Sequence, residues 1–333
     1  MLPMDAASER VRRTVIDLRN RRIRLAKFRG SEQEQDLRVP CNCSGYGRIH
    51  HFCRQPGERW PPDPLPMDPA SKALGLPRMD VLKVQVFQCS GCNHRCWYCF
   101  VPSSLLSISP ESSGWFTTDQ MLDLYLEQQE PPRVIDLTGG EPGLVPEWVP
   151  WMMRALQERR LESSVYLWSD DNLSTDYLWT KLTDQDWELL RSYPTYGKVV
   201  CLKGFSEESF AFNTGVDADL FGRQLSILQR ALTIGVDLYA YVTLTTPTVC
   251  GLDEELRRFV DLLQALDVNL PLRTVPLQIK AFTPTRTRLT PTRERAMKNQ
   301  FVVADVWTNE LTKRFSSEIL GANIADIPLA TRS

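Results

Sequence analysis

The chain has 333 residues, 42% hydrophobic and 24% charged, the composition of a soluble globular protein with one large domain or two small ones. A net charge of −2 gives no overall pull toward nucleic acid or membrane, and no apolar run reaches the ~18 residues of a transmembrane helix. Met1 to Arg13 lacks the apolar stretch of a secretory signal, and nine cysteines, an odd number, point to metal chemistry in a reducing cytoplasm and not to disulfides.

Residues 1–80 are expected to form an N-terminal extension. Between Arg10 and Arg29 stand nine Lys/Arg and one acid, Asp17. Val11, Val15 and Leu18 have helical spacing behind Ser8 as a candidate cap. Such a helix is either a solvated surface element or a contact for phosphates, and it is the sole pointer to a nucleic-acid partner. After the polar linker Ser31–Asp36 come Cys41, Cys43, His50, His51 and Cys53. Cys41, Cys43 and Cys53 with an imidazole could bind a second metal, zinc or iron–sulfur, although the Cys41/Cys43 gap is tighter than usual. The alternative is reduced, buried thiols. Arg59 to Pro66 is proline-rich and expected to be extended.

From Val81 a βα rhythm sets in. Strands are expected at Val81–Gln88, Arg133–Thr138, Ser164–Asp170, Gly197–Lys203, Val236–Thr245 and Pro276–Phe282. Helices are expected between them, at Thr118–Gln128, after Pro146, at Asp184–Ser192, and along Phe221–Leu232 and Leu256–Leu263. Six such units imply a parallel α/β sheet with right-handed crossovers, either a partial barrel or an open doubly wound sheet. Residues 286–333 then form a C-terminal helical segment behind Thr290-Pro291, plugging the barrel or covering its side.

The first strand runs into Cys92-Asn93-His94-Arg95-Cys96-Trp97-Tyr98-Cys99, a Cys-x3-Cys-x2-Cys run. Three thiolates can hold three irons of a [4Fe–4S] cluster and leave the fourth open to a chelating ligand. Cys89 extends the run to four cysteines, so a structural zinc site or a four-ligand, ferredoxin-like electron carrier is the alternative. Gly139-Gly140-Glu141-Pro142 ends the second strand, about 40 residues on. In parallel β/α folds, active sites collect at these strand ends. There a backbone without Cβ atoms can approach a ligand, and carbonyls and Glu141 can accept from an ammonium.

Together these motifs resemble the radical SAM superfamily, over residues 81 to about 285. The resemblance implies a partial (β/α)6 TIM-type barrel. It implies a [4Fe–4S] cluster on Cys92, Cys96 and Cys99, with S-adenosylmethionine on the open iron. Tyr98 would lie by the adenine, and Gly139, Gly140, Glu141 and Pro142 would hold the amino group. The pattern is nearest to the glycyl-radical activating enzymes. Asp170 and Asn172 match their Asp-Thr-Asn-Gly, with Asp171 for Thr and Leu173 for Gly. Cys201-Leu202-Lys203 stands where they have Asp-Leu-Lys. Asp170, Asn172 and Lys203 would then face ribose and carboxylate. The implied activity is reductive cleavage of S-adenosylmethionine to a 5′-deoxyadenosyl radical, with an electron from flavodoxin or ferredoxin, and hydrogen abstraction from an unidentified substrate. A partner protein receiving a glycyl radical, a small molecule or peptide, and a nucleic acid are the alternatives.

Overall fold

The computed structural model describes residues 4–329. In chain order the strands are β1 (Ile16–Asp17), β2 (Arg22–Ala26), β3 (Gly47–Cys53), β4 (Val81–Gln88), β5 (Ser113–Thr117), β6 (Val134–Thr138), β7 (Tyr166–Asp171), β8 (Tyr196–Leu202), β9 (Asp237–Thr243) and β10 (Thr274–Leu277). Seven of them form one curled, mixed sheet in the order β10-β9-β8-β7-β6-β4-β3. Strands β4 and β6–β10 are parallel, and the chain between them returns through helices, giving the expected α/β half-barrel. The other three strands make a small antiparallel sheet, β1-β2-β5.

The sheet differs from the six-stranded expectation at its two edges. Strand β3 pairs antiparallel with β4 along its whole length, from Gly47 opposite Phe87 to Cys53 opposite Val81. The Cys/His group is therefore largely a strand. Its alternation of Arg48, His50 and Phe52 against Ile49, His51 and Cys53 behind a Gly-Tyr-Gly turn is a β pattern that the cysteines and histidines mask. The sixth core strand lies earlier than expected, at Thr274–Leu277, because the residues after it bond elsewhere. Ile279 N donates to Gln300 Oε1 and Thr283 N to Asp36.

Leu82, Val84, Tyr166, Trp168 and Tyr239 fill the base of the concave face, which helix Met67–Leu74 and Ile324 close. The segment after β3 crosses the open side of the half-barrel. There Trp60 Nε1 donates to Pro276 O at 3.1 Å, and the Tyr241 hydroxyl donates to Asp63. On the convex face, helices Thr118–Leu126, Trp148–Glu158, Leu220–Leu232 and Leu252–Leu266 bury their apolar stripes against the sheet. Helix Pro291–Arg314, capped by Thr290 Oγ1 accepting from Arg293 N, covers the side of the barrel with Trp307 against Phe259, 5.9 Å between ring centroids. No described helix is long and apolar enough to cross a membrane.

The basic N-terminal helix spans Met4–Val15, earlier than its expected extent. Ser8 lies inside it, its hydroxyl bonded to Met4 O, and not at its cap. Leu18 is 57% exposed in the turn that follows. Asp17 ends the helical run by accepting from Asn20 N and pairing with Arg22, which bends the chain into the β1–β2 hairpin. Arg12 is buried against Glu147 and also donates to Leu144 O at 2.8 Å, so part of the helix's charge is spent inside the protein. Removing one partner of a buried pair leaves the other unpaired. Arg12→Ala should therefore lower unfolding stability by about 3–5 kcal/mol, read as the denaturant midpoint. A loss comparable to that of an exposed pair such as Arg13–Glu9 would mean that the helix is not docked.

Candidate active site

The cysteine loop, the Gly-Gly-Glu-Pro turn and the ends of β7 and β8 meet at the C-terminal end of the parallel strands, where a barrel gathers its chemistry. Two backbone contacts lock the first two together. Cys89 N donates to Thr138 O at 3.0 Å, and Glu141 N donates to Gly91 O at 2.9 Å. Gly140 has φ +51°, and a Cβ there would stand 2.3 Å from Gly91 O and 2.5 Å from Cys89 O. Only glycine lets the turn come this close to the loop.

The four cysteines of the run divide. Cys89 is fully buried and its thiol donates to Gly139 O at 2.9 Å, so it serves the turn. Cys92, Cys96 and Cys99 are partly exposed. Burial first, then the neighbouring charges of Glu141, Cys96 and Cys99, pushes the Cys92 thiol well up. Burial takes Cys96 up to about 11, with Lys203 pulling the other way. The three thiols therefore sit within electrostatic reach of one another at one partly exposed site. Among the described residues no set of His, Cys, Asp or Glu is closed around a single ion. A cluster that takes one thiolate per iron spaces its ligands more widely than one ion does.

Around the thiols the side chains form a frame. Glu141 Oε1 accepts from Gly143 N at 2.8 Å and Asn172 N at 3.2 Å. Burial and Asp171 push its carboxyl up to about 8, against the pull of Lys203. The Asn172 amide reaches Asn93 Oδ1 at 3.1 Å and thereby fastens the end of β7 to the cysteine loop. Asn93 donates in turn to Ser8 of the N-terminal helix and to Ser174, both at 2.8 Å. Asp170 accepts from Thr138 Oγ1 on the concave face. Lys203 lies among Cys201, Tyr98, Cys96 and Glu141, which together outweigh its burial and hold the ammonium charged. The Tyr98 hydroxyl is 3.1 Å from Thr243 Oγ1 at the end of β9. Cys201 is pushed up to about 12 by burial.

Two residues outside the expected set complete the frame. Asn213 takes Trp97 Nε1 at 3.2 Å and donates to Lys203 O and Thr245 O, tying the loop to the ends of β8 and β9. Arg288 donates to Cys99 O and Val101 O from the segment after β10. A lone Asn before Thr-Gly, or one Arg among many, carries no pattern of its own in sequence.

Cys41, Cys43 and Cys53 are not brought together. Cys41 donates to Glu34 at 3.1 Å, and Cys43 is buried near Leu124 O. Cys53 lies at the far end of β3, seven residues that extend over roughly 20 Å. His51 shares Cys53's face of the strand, while His50 shares the concave face with Arg48.

The profile of the Radical SAM superfamily matches residues 88–263, more than half of the chain. The chain belongs to this superfamily. A [4Fe–4S] cluster and S-adenosylmethionine are thereby implied, and the three converging thiols fit such a cluster. Among solved structures, the radical SAM chain resembles Streptococcus suis SuiB bound to precursor peptide SuiA, at 16% identity and a TM-score of 0.39, over 55% of this chain and 36% of that one. SuiB bound to S-adenosylmethionine gives 16% and 0.38, over 55% and 37%. The chain thus spans little more than a third of the length of these structures. No curated protein matches it.

The lock between turn and loop predicts a contrast between two glycines. Gly75 also has positive φ, at +62°, but nothing within 4 Å of a Cβ. Gly75→Ala should cost about 1–2 kcal/mol, the strain of a left-handed L-residue. Gly140→Ala adds a backbone collision and should cost about 3 kcal/mol or more, with loss of reconstitutable iron. Equal melting-point losses would show that the close approach is relaxed at little cost.

Proposed function

We propose that this protein is a radical SAM enzyme, an oxidoreductase in the broad sense, that abstracts hydrogen from a substrate held in the barrel mouth. The carrying observation is the convergence of the cysteine loop, the Gly-Gly-Glu-Pro turn, Asp170 and Lys203 at one end of the sheet of a superfamily member. Cys92, Cys96 and Cys99 would each hold one iron and leave the fourth to the amino and carboxylate groups of S-adenosylmethionine. The chemistry supplied there when cluster and cofactor are bound is one-electron cleavage to methionine and a 5′-deoxyadenosyl radical, which takes a hydrogen atom from the substrate.

The chain's own work is binding and placement. The Gly139–Pro142 backbone and Glu141 would accept from the cofactor's ammonium, which favours the ionised carboxylate. Lys203 suits the carboxylate, and its charge eases loss of the Cys96 proton, which ligation requires. Asp170 would face the ribose and Tyr98 the adenine. Asn172 would act chiefly by holding β7 against the loop. Residues 81–285 would carry this chemistry, with 1–80 and 286–333 enclosing it. A flavodoxin or ferredoxin in the cytoplasm would supply the electron, and a reducing compartment would keep the remaining thiols free. A second metal at Cys41, Cys43 and Cys53 has no part in this reading, because the strand between them keeps them apart.

Anaerobic reconstitution tests it. The protein should take up about four irons and, on reduction, form 5′-deoxyadenosine from S-adenosylmethionine. Cys92→Ala, Cys96→Ala and Cys99→Ala should abolish both, while Cys89→Ala keeps its iron. A cluster that needs Cys89 and cleaves no cofactor would make the protein an electron carrier instead. In the intact holoprotein, Glu141→Ala should weaken S-adenosylmethionine binding by about 1–3 kcal/mol, read by calorimetry. An unchanged dissociation constant would remove Glu141 from the ammonium.

A further inference from the structure

Strand β3 adds a wall to the barrel that the six core βα units do not supply, and that wall carries a charge. Arg48 pairs with Val86 in β4, and Val86 pairs with Asp136 in β6, so the three side chains share the concave face. Arg48 is 6% exposed and Asp136 4%. The guanidinium lies between two rings, 5.8 Å from the centroid of Phe28 and 5.6 Å from that of Phe100, next to Cys99. Its Nε has no hydrogen-bond partner, and neither has Asp136 Oδ1.

This is an unusual state for an arginine. The other buried arginines among the described residues all make hydrogen bonds: Arg12 to Glu147 and Leu144 O, Arg54 to Asp68 and Met79 O, and Arg273 to Ile327 O, Leu238 O and Asp237. Arg48 stays charged even though burial lowers it to about 10, with Asp136 and Asp170 pulling it back up. Asp136 is pushed well above the carboxylate range by burial and then by Asp170, against the pull of Arg48. A buried guanidinium with an unpaired Nε–H, set against two aromatic rings, suits a planar or tetrahedral oxyanion.

Its place in the fold fits a substrate subsite. Val86 is two residues before the end of β4, so Arg48 lies one inward-facing position below Gln88 and the cysteine loop. Gln33 roofs this corner by exchanging amide bonds with Gln88, and Asp36 of the same segment bonds Thr283 after β10. The corner is thus enclosed on the side of the barrel away from Lys203 at the end of β8, the cation suited to the cofactor's own carboxylate.

We propose that Arg48, with Asp136 beside it, binds an anionic group of the substrate, a carboxylate or a phosphate, and so orients the substrate beneath the cofactor. The proposal rests on the barrel mouth being the substrate site. It makes the substrate an organic acid, an acid-bearing peptide or a phosphate ester, and N-terminal strand β3 a specificity element.

The experiment compares wild-type and Arg48→Leu holoprotein, anaerobically, by thermal melting in chloride, acetate or inorganic phosphate at matched ionic strength. With chloride alone, Arg48→Leu should melt as high as wild type or higher, since it removes an unpaired buried charge. Acetate or phosphate should raise the wild-type midpoint by about 5 °C near saturation and leave the variant unmoved. A response to acetate alone assigns a carboxylate, and a response to phosphate alone assigns a phosphate ester. A lower midpoint for the variant in chloride, equal anion responses in the two proteins, or no response in either overturns the proposal. Absence of 5′-deoxyadenosine from the wild type would instead strike the enzymatic reading.

Discussion

The site depends on one close approach of two backbones. The Gly140 turn rests on the carbonyls of Cys89 and Gly91 with no room for a Cβ, and Glu141 N closes the contact. Everything else is referred to that junction. It sets the cysteine loop in register with β6, it aims Glu141 into the space shared with Lys203, and it leaves Cys89 buried beneath the turn as a donor to Gly139 O. A loop bearing three thiols has no fixed shape of its own, and bound metal alone would have to order it. Here the sheet orders it beforehand, so less conformational entropy remains to be lost when ligands bind.

The same logic explains the extension. The N-terminal helix supports the loop through Ser8 and Asn93, and Arg12 anchors it on the turn side at Leu144 and Glu147. Strand β3 and the segment after it close the open side of the half-barrel. The segment after β10 holds the loop's far end through Arg288. Residues far apart in sequence thus converge on eight residues of loop, which a half-barrel without its flanks would leave open to solvent. Exclusion of water strengthens each charge interaction within.

The parallel core was legible because its signals are local. Val81–Gln88 shows β-branched residues up to the cysteines, and the helices between the strands carry apolar stripes. Cys92, Cys96, Cys99 and the Gly-Gly-Glu-Pro turn stand out in the sequence because their spacing is a pattern in itself. Strand β3 was not, since its histidines and cysteines mimic a ligand set and its partner strand begins 28 residues after it ends, a pairing no local pattern encodes. Asn213 and Arg288 act through single long-range bonds, which leave no periodicity. Asn172 was legible as a residue but not in its bonding, since its amide is turned to Asn93.

The departures from the activating-enzyme pattern carry their own consequences. Leu173 stands where that pattern has Gly, yet keeps a left-handed backbone at φ +55°, a conformation that costs an L-residue energy. The cost is met by burial of the Leu173 side chain in the outer core and by Asp171 Oδ1 accepting from Leu173 N at 2.8 Å. Asp171 is itself held at 3.0 Å by Lys198. A carboxylate in the place of Thr therefore does the work of a turn clamp, and the shape of the β7 end survives the loss of its glycine. Asp171 is also the charge that raises Glu141, after burial, so the clamp bears on the turn's electrostatics. Lys203 from the mouth pulls against that rise, while Lys198 pairs with Asp171 itself.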